Sequence, residues 1–252
     1  MTKIVISGCC GRMGGRIAGL AKQDHALHVV GALEAAGHPN IGCDLGEVLA
    51  LGRWHLPIVD DPEEAFQKGE VVIDFTSPLS TIRHVEVASG MNVGIVIGTT
   101  GLSPKDIESL QKAAKKIPIL VSPNMSVGVN LLFNLVQEAA RRLDKDYQIE
   151  VVEAHHQHKK DAPSGTAKKL AEIIAEARGV SAEAVPTHSI RAGDIVGDHT
   201  VLFCGPGERL ELTHRAHSRD TFASGALMAA KFLKGRRPGL YRMSDVIGGA
   251  AK

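Results

Sequence analysis

Fifteen residues, Glu153 to Ala167, gather an unusual set of proton carriers and anion-binding groups. They include His155, His156 and His158, then Lys159 and Lys160, then Ser164-Gly165-Thr166 opening a helical pattern. An imidazole titrates near neutral pH and can pass a proton to a reacting atom. A lysine supplies a fixed positive charge, and backbone N–H groups at a helix start favour a carboxylate. The set therefore suits a small, carboxylate-rich molecule that must be held and protonated. The bland alternative is a solvated basic loop whose histidines cap a strand. A metal reading also exists, because three histidines are close in sequence. Only neutral imidazoles bind a metal, however, and the adjacent lysines oppose a cation, so no metal is expected.

A second constellation lies at the other end of the chain. Gly8-x-x-Gly11-x-x-Gly14 follows the β-branched run Ile4-Val5-Ile6 and opens a helical pattern through Met13, Ile17 and Leu20. Glycines there allow a tight turn and close backbone approach to a pyrophosphate. Glu34 stands 20 residues after Gly14, at the end of a second apolar run, where an acid can accept both ribose hydroxyl protons. The spacing is not the commoner G-x-G-x-x-G, so the context carries the inference. Ala35 follows the acid where an arginine would pair with the 2′-phosphate of NADP. Arg12 is the nearby cation that remains. NADH is accordingly expected to serve at least as well as NADPH. Gly98-Thr99-Thr100-Gly101 and Ser122-Pro123-Asn124-Met125-Ser126 follow two more apolar runs, at strand ends where open α/β sheets bind ligands.

The elements that must position these groups change character along the chain. Val71–Phe75, Val93–Ile97 and Ile117–Val121 are continuous apolar runs separated by helix signals. Ser80 reads as the cap of a helix through about Ala88. Ser103-Pro104-Lys105-Asp106 reads as an N-cap, a first-turn proline and an acidic turn. Such runs predict a doubly wound parallel sheet covered on both faces. From Val127 a helical pattern runs to about Leu143. Tyr147–Val152 then alternates in polarity, and Gly165 to Arg178 reads as a helix stopped by Gly179. Ser189–Arg191, His199–Phe203 and Glu208–Thr213 also alternate, as an open-faced sheet should. A helix over Phe222–Leu233 and a tail with Leu240 to Met243 and a Gly/Ala end complete the chain. The expected organisation is a dinucleotide-binding domain over 1–126 and an α+β domain over 127–219 with a mixed open-faced sheet. That open face predicts self-association.

Composition removes other classes. Formal net charge is +1, which offers no electrostatic case for nucleic acid or a membrane surface. Six Phe, two Tyr and one Trp are too few for a base-stacking surface. No apolar run reaches the roughly 20 residues of a membrane span, and Met1-Thr2-Lys3 shows no signal-peptide pattern. Cys9, Cys10, Cys43 and Cys204 have no disulfide or zinc spacing, so a reduced, cytoplasmic protein is expected.

With these residues together, the chain closely resembles the 4-hydroxy-tetrahydrodipicolinate (dihydrodipicolinate) reductases of the diaminopimelate route to lysine. The carriers are Ser7 to Gly14, Asp74-Phe75-Thr76, Gly98 to Gly101, Pro123 to Asn130, Glu153 to Lys159 with Asp161 to Thr166, and Arg191 to Gly197. The histidine segment is the most specific of them. The resemblance implies a Rossmann-like cofactor domain to which 220–252 returns, and a substrate domain that builds a homotetramer. It implies cofactor contacts from Gly8, Cys9, Cys10, Gly11, Arg12, Met13, Glu34, Gly98, Thr99, Thr100, Ser122, Pro123, Asn124 and Met125. It implies His155 as proton donor/acceptor, Lys159 as proton donor, and His156, Gly165 and Thr166 as carboxylate holders. Some members have Arg where Ala35 stands and Phe where Met125 stands. Competing classes are another Rossmann oxidoreductase acting on an amino-acid semialdehyde, and a non-catalytic NAD(H) redox sensor. Neither would need the His-His-x-His-Lys segment. Cys9 and Cys10 stand at a helix start, where a thiol's pKa tends to fall; the plainer reading is two small residues that fit the turn, and the sharper one is oxidation that blocks cofactor binding.

Overall fold

The computed structural model describes residues 1–248. They fall into two compact units: Met1–Met125 with the segment from Phe222 onward, and Ser126–Thr221. The Gly/Ala end at 249–252 lies outside the described residues.

The first unit holds β1 (Thr2–Ser7), α1 (Arg12–Gln23), β2 (Leu27–Leu33), α2 (Leu45–Val48), β3 (Ile58–Val59), α3 (Pro62–Phe66) and β4 (Val71–Asp74). It continues through α4 (Pro78–Met91), β5 (Gly94–Ile97), α5 (Pro104–Ala113) and β6 (Pro118–Val121). The order across its seven-stranded sheet is β11-β6-β5-β4-β1-β2-β3, and every pairing is parallel. Winding goes one way from β1 to β3 and the other way from β4 to β6. The carboxyl ends of β1 and β4 therefore flank the switch point, where such sheets open a ligand crevice. The strands are apolar throughout because both faces are covered: β4 and β5 are buried at every position.

Capping shows where local reading failed. The helix α4 is capped by Ser77, whose side chain accepts from the Ser80 N–H, with Pro78 in the first turn. Ser80 is thus inside the helix and not its cap, and the helix runs to Met91. Proline tolerates only the first turn, so Pro78 places the start ahead of it. The Ser103 cap is as read, with a reciprocal capping box to Asp106. Three short elements, α2, β3 and α3, gave no periodic signal.

The second unit comprises α6 (Val127–Arg142), β7 (Gln148–His155), α7 (Gly165–Arg178), β8 (Thr187–Arg191), β9 (Gly197–Gly205) and β10 (Glu208–Ala216). Its sheet runs β10-β9-β7-β8, with β7 and β8 parallel and the other pairs antiparallel. Along β9, buried and half-buried residues alternate. One face packs on α6 and α7 through Leu132, Val136, Val151, Leu170, Ile174 and Phe203. The strand β7 extends three residues beyond the predicted end and so includes His155. After this unit come α8 (Asp220–Leu233), β11 (Gly239–Tyr241) and α9 (Met243–Gly248). Here β11 pairs with β6 and becomes the seventh strand of the first sheet. No helix among the described residues is long and apolar enough to cross a membrane.

Candidate active site

The crevice of the first unit is built mainly from backbone. Gly8 has φ +67°, a left-handed turn that glycine adopts without penalty. Gly8 N and Cys9 N both donate to Leu33 O, at 2.8 and 3.1 Å, tying the loop to the end of β2. Gly14 lies so close to the loop that a Cβ would sit 2.1 Å from Gly8 O. Glu34 follows β2, and its carboxylate accepts from Cys10 N at 3.0 Å and Ala35 N at 2.9 Å. A cleft of about 440 Å³ includes Gly8, Gly11, Glu34, Ala35, Thr76 and Arg83 in its lining. A fixed carboxylate acceptor beside the backbone donors of a glycine turn and a helix start suits a nucleotide ribose and pyrophosphate. Arg83, on α4, was missed by sequence reasoning and corrects the view of Arg12 as the one nearby cation. Its position 49 residues beyond Glu34 leaves no local signal.

Beneath the strand ends lies a buried polar cluster that sequence analysis did not assemble. Asp74 is fully buried. It accepts from Thr76 N at 2.9 Å, Thr76 Oγ1 at 2.6 Å and Thr99 Oγ1 at 3.3 Å, and pairs with His84 Nδ1 at 2.6 Å. Thr81 Oγ1 donates to Thr99 Oγ1 at 2.8 Å. The cluster joins the loops after β4 and β5. Gly98 is needed there, since a Cβ would meet the Phe75 ring at 2.2 Å. Ser122 Oγ donates to Asn124 O at 2.7 Å and turns the third loop, which ends at the buried Met125.

Cys9 differs from the expectation. Cys9 is fully buried, and burial, then the neighbouring Cys10, push its thiol well above the ordinary range. Desolvation outweighs the helix end because the thiolate has lost its water. The two Sγ atoms are 4.0 Å apart. Among the described residues, ligand atoms of Cys9, Cys10 and Glu34 lie within 4.8 Å of one another, whereas the three histidines form no such group.

The second unit assembles its site from side chains. Glu153 and His155 are two apart on β7 and so share a face. His155 Nδ1 lies 2.5 Å from Glu153 Oε2. Arg191, at the end of β8 opposite His155, grips the same carboxylate with both terminal nitrogens, at 2.8 and 2.7 Å. Ser164 N donates to Glu153 Oε1 at 3.2 Å, joining the start of α7 to this strand. Burial opposes the charge on Glu153, but the hydrogen bonds from Arg191, then Ser189, then His155 lower its carboxyl to about 2. Burial lowers the His155 pKa below its ordinary 6.5; Glu153 pulls it upward, while Lys159 and Arg191 push it further down.

Around this pair stand the other predicted residues. Lys159 Nζ is 2.9 Å from Asp161 Oδ1, and Lys159 N donates to His156 O at 3.1 Å. His156 and His158 face each other with ring centroids 6.3 Å apart. Ser164 caps α7 by accepting from Ala167 N, which leaves Gly165 and Thr166 as its first residues. His199, on β9, was not singled out. It is 3% exposed, lies edge-on to His155 with centroids 5.2 Å apart, and has Nε2 3.1 Å from Ser164 Oγ. Burial, then His155, lower its pKa to about 3, so it is neutral near pH 7.

A doubly wound sheet with a nucleotide-type crevice, and a companion unit carrying proton donors and a helix start suited to anions, define the class: a dinucleotide-dependent oxidoreductase. Comparison with known proteins narrows it. The family model for the dihydrodipicolinate reductase N-terminus matches residues 2–125, and that for the C-terminus matches residues 128–247. A 4-hydroxy-tetrahydrodipicolinate reductase of Anaeromyxobacter dehalogenans is 47% identical, covering 98% of both chains. One from Syntrophus aciditrophicus is 43% identical over 98% of this chain and 99% of its own. Among solved structures, dipicolinate-bound dihydrodipicolinate reductase from Paenisporosarcina sp. TG-14 superposes with a TM-score of 0.81 at 26% identity, over 96% of this chain and 97% of that one. The chain belongs to the dihydrodipicolinate reductase family.

Proposed function

We propose that this protein reduces 4-hydroxy-tetrahydrodipicolinate, in the diaminopimelate route of lysine biosynthesis, with a reduced nicotinamide dinucleotide. Family membership over the full length carries the reading. The His155–Glu153 pair next to a helix start is the structural observation that supports it. The glycine loop from Gly8 to Met13, Glu34, Gly98–Thr100 and Ser122–Met125 would hold the cofactor, most of them through backbone. When bound, the reduced cofactor supplies hydride to an electron-poor ring carbon conjugated with the ring imine.

Negative charge then develops towards the ring nitrogen, and this chain must deliver a proton there. His155 in its protonated form gives up that proton from Nε2, with Lys159 as the second donor and a fixed counter-charge. Asp161 keeps the Lys159 ammonium in place. The N–H groups of Gly165 and Thr166 hold one carboxylate, helped by the helix dipole and by His156. His158 receives no role.

With Ala35 after Glu34, NADH serves at least as well as NADPH. Arg83 is the cation that lets the larger cofactor bind as well. The open face of the second sheet carries Ile190, which is 48% exposed, and covering it by copies of the chain gives a homotetramer. The compartment that fits free thiols is the cytoplasm. Following nicotinamide absorbance with enzymatically generated substrate tests the activity. No substrate-dependent loss of NADH would sink the reading.

A further inference from the structure

We infer that Glu153, clamped by Arg191, is a positioning residue that holds His155 with Nδ1–H towards the carboxylate and Nε2 as the nitrogen that exchanges the reaction's proton. The inference deepens the proposed function and rests on its assignment of His155. It comes from four independent constraints. The Glu153 carboxylate is ionised and buried, so it accepts and never donates; the Nδ1 contact at 2.5 Å therefore carries its hydrogen on the imidazole. Arg191 occupies both carboxylate oxygens in a fork, which fixes the carboxylate plane. Ser164 N and the Ser189 side chain add further donors. Finally, Gly197 on β9 keeps space beside the other ring nitrogen: a Cβ there would lie 3.1 Å from His155 Nε2.

This arrangement gives Glu153 and Arg191 opposite effects on the same proton. Charged and titratable groups reach the His155 ring from each neighbouring element: Glu153 on β7 itself, Arg191 on β8, His199 on β9, and Lys159, itself paired with Asp161, from the loop after β7. His199 stays neutral above about pH 3 and contributes no charge at working pH. Glu153 favours the imidazolium; Lys159 and Arg191 disfavour it. In the step itself the Nε2–H bond breaks, its electron pair remains on the imidazole, and a new N–H bond forms on the substrate ring. Solvent returns a proton to Nε2 between turnovers.

The test is the pH profile of kcat for wild type, Glu153→Gln, Arg191→Gln, His155→Gln and the Glu153→Gln/His155→Gln double variant. An acid active when protonated gives a kcat that falls as pH rises through its pKa. Glu153→Gln should lower kcat by roughly 10²-fold and move that limb to lower pH. Arg191→Gln should move it to higher pH. The double variant should be no slower in kcat than His155→Gln alone, because Glu153 acts on the proton only through the imidazole, while its bond to Ser164 N bears on the KM for substrate. A limb unmoved in Glu153→Gln, or losses that multiply in the double variant, would overturn the inference and leave Glu153 a merely structural residue. A kcat for His155→Gln equal to wild type would instead overturn the reading of the site beneath it. Should the Glu153 variant fail to fold, histidine ¹⁵N shifts of the wild-type protein at pH 8 decide the matter: protonated Nδ1 supports the inference, protonated Nε2 overturns it.

Discussion

The two units build their candidate sites in opposite ways. In the first, Gly8, Gly14 and Gly98 act by having no side chain, and backbone N–H groups and close approaches shape the crevice. In the second, Glu153, His155, Arg191 and Ser164 act through charged or polar groups whose proton affinities depend on one another. A backbone-built site is insensitive to pH but intolerant of added volume. A side-chain-built site tolerates volume in places and is sensitive to every charge.

The sharpest way to break this contrast is to cross the substitutions. His155→Gln should lower kcat by roughly 10²–10⁴ while NADH affinity, measured by fluorescence titration, stays at the wild-type value. Loss of NADH affinity would show that the two sites are not separable in this way. Asp74→Ala should destabilise the protein by about 3–5 kcal/mol, because it leaves the buried His84 and Thr99 and the two half-buried Thr76 donors without their acceptor; denaturant unfolding reads this directly. Gly14→Ala should cost about 1–3 kcal/mol, since its Cβ would overlap Gly8 O. It should raise KM for NADH with the pH profile of kcat unchanged.

Acid should separate the units more gently. His199 is held below its unfolded pKa of about 6.5, down to about 3, and Glu153 below 4.5, down to about 2. For both, the folded form binds fewer protons than the unfolded chain. The stability is complete above the unfolded pKa and is lost as pH falls towards the folded one. Unfolding free energy should therefore start to fall below about pH 6.5 through His199 and fall further between pH 4.5 and 2 through Glu153. His199→Gln should remove the largest share of the first part of that slope, the rest coming from His155 and His214, which burial also holds below 6.5. The smallest effect concerns the cofactor: kcat/KM for NADPH should not exceed that for NADH by more than about tenfold, worth about 1.4 kcal/mol. A larger preference would give Arg83 more weight than Ala35.

Much of this was readable from residues alone, and the misses share a cause. Glycines at fixed offsets from a β-branched run, an acid at the end of the next strand and apolar strand cores are local signals, and each appears where expected. Ser80 was misread because two serines flank Pro78 and only the helix start shows which one caps. The Asp74–His84–Thr99 cluster spans 25 residues of sequence, and Arg191 lies 38 residues from Glu153. Nothing local marks those partners. Cys9 went wrong for a related reason: a helix start is a sequence feature, while burial is not.

What the sequence by itself determined is the inventory and the class: a nucleotide crevice, a proton-and-anion segment, and the family that carries both. These depend on short-range spacing, which strands and helices convert directly into shared faces. The tertiary structure alone decided which nitrogen of His155 faces the carboxylate, that Arg191 clamps Glu153, and that His199 is buried and neutral. Parallel pairing of β7 with β8 and antiparallel pairing with β9 bring those residues together. Such pairings, and the desolvation that follows from them, exist only once the chain has closed its long loops.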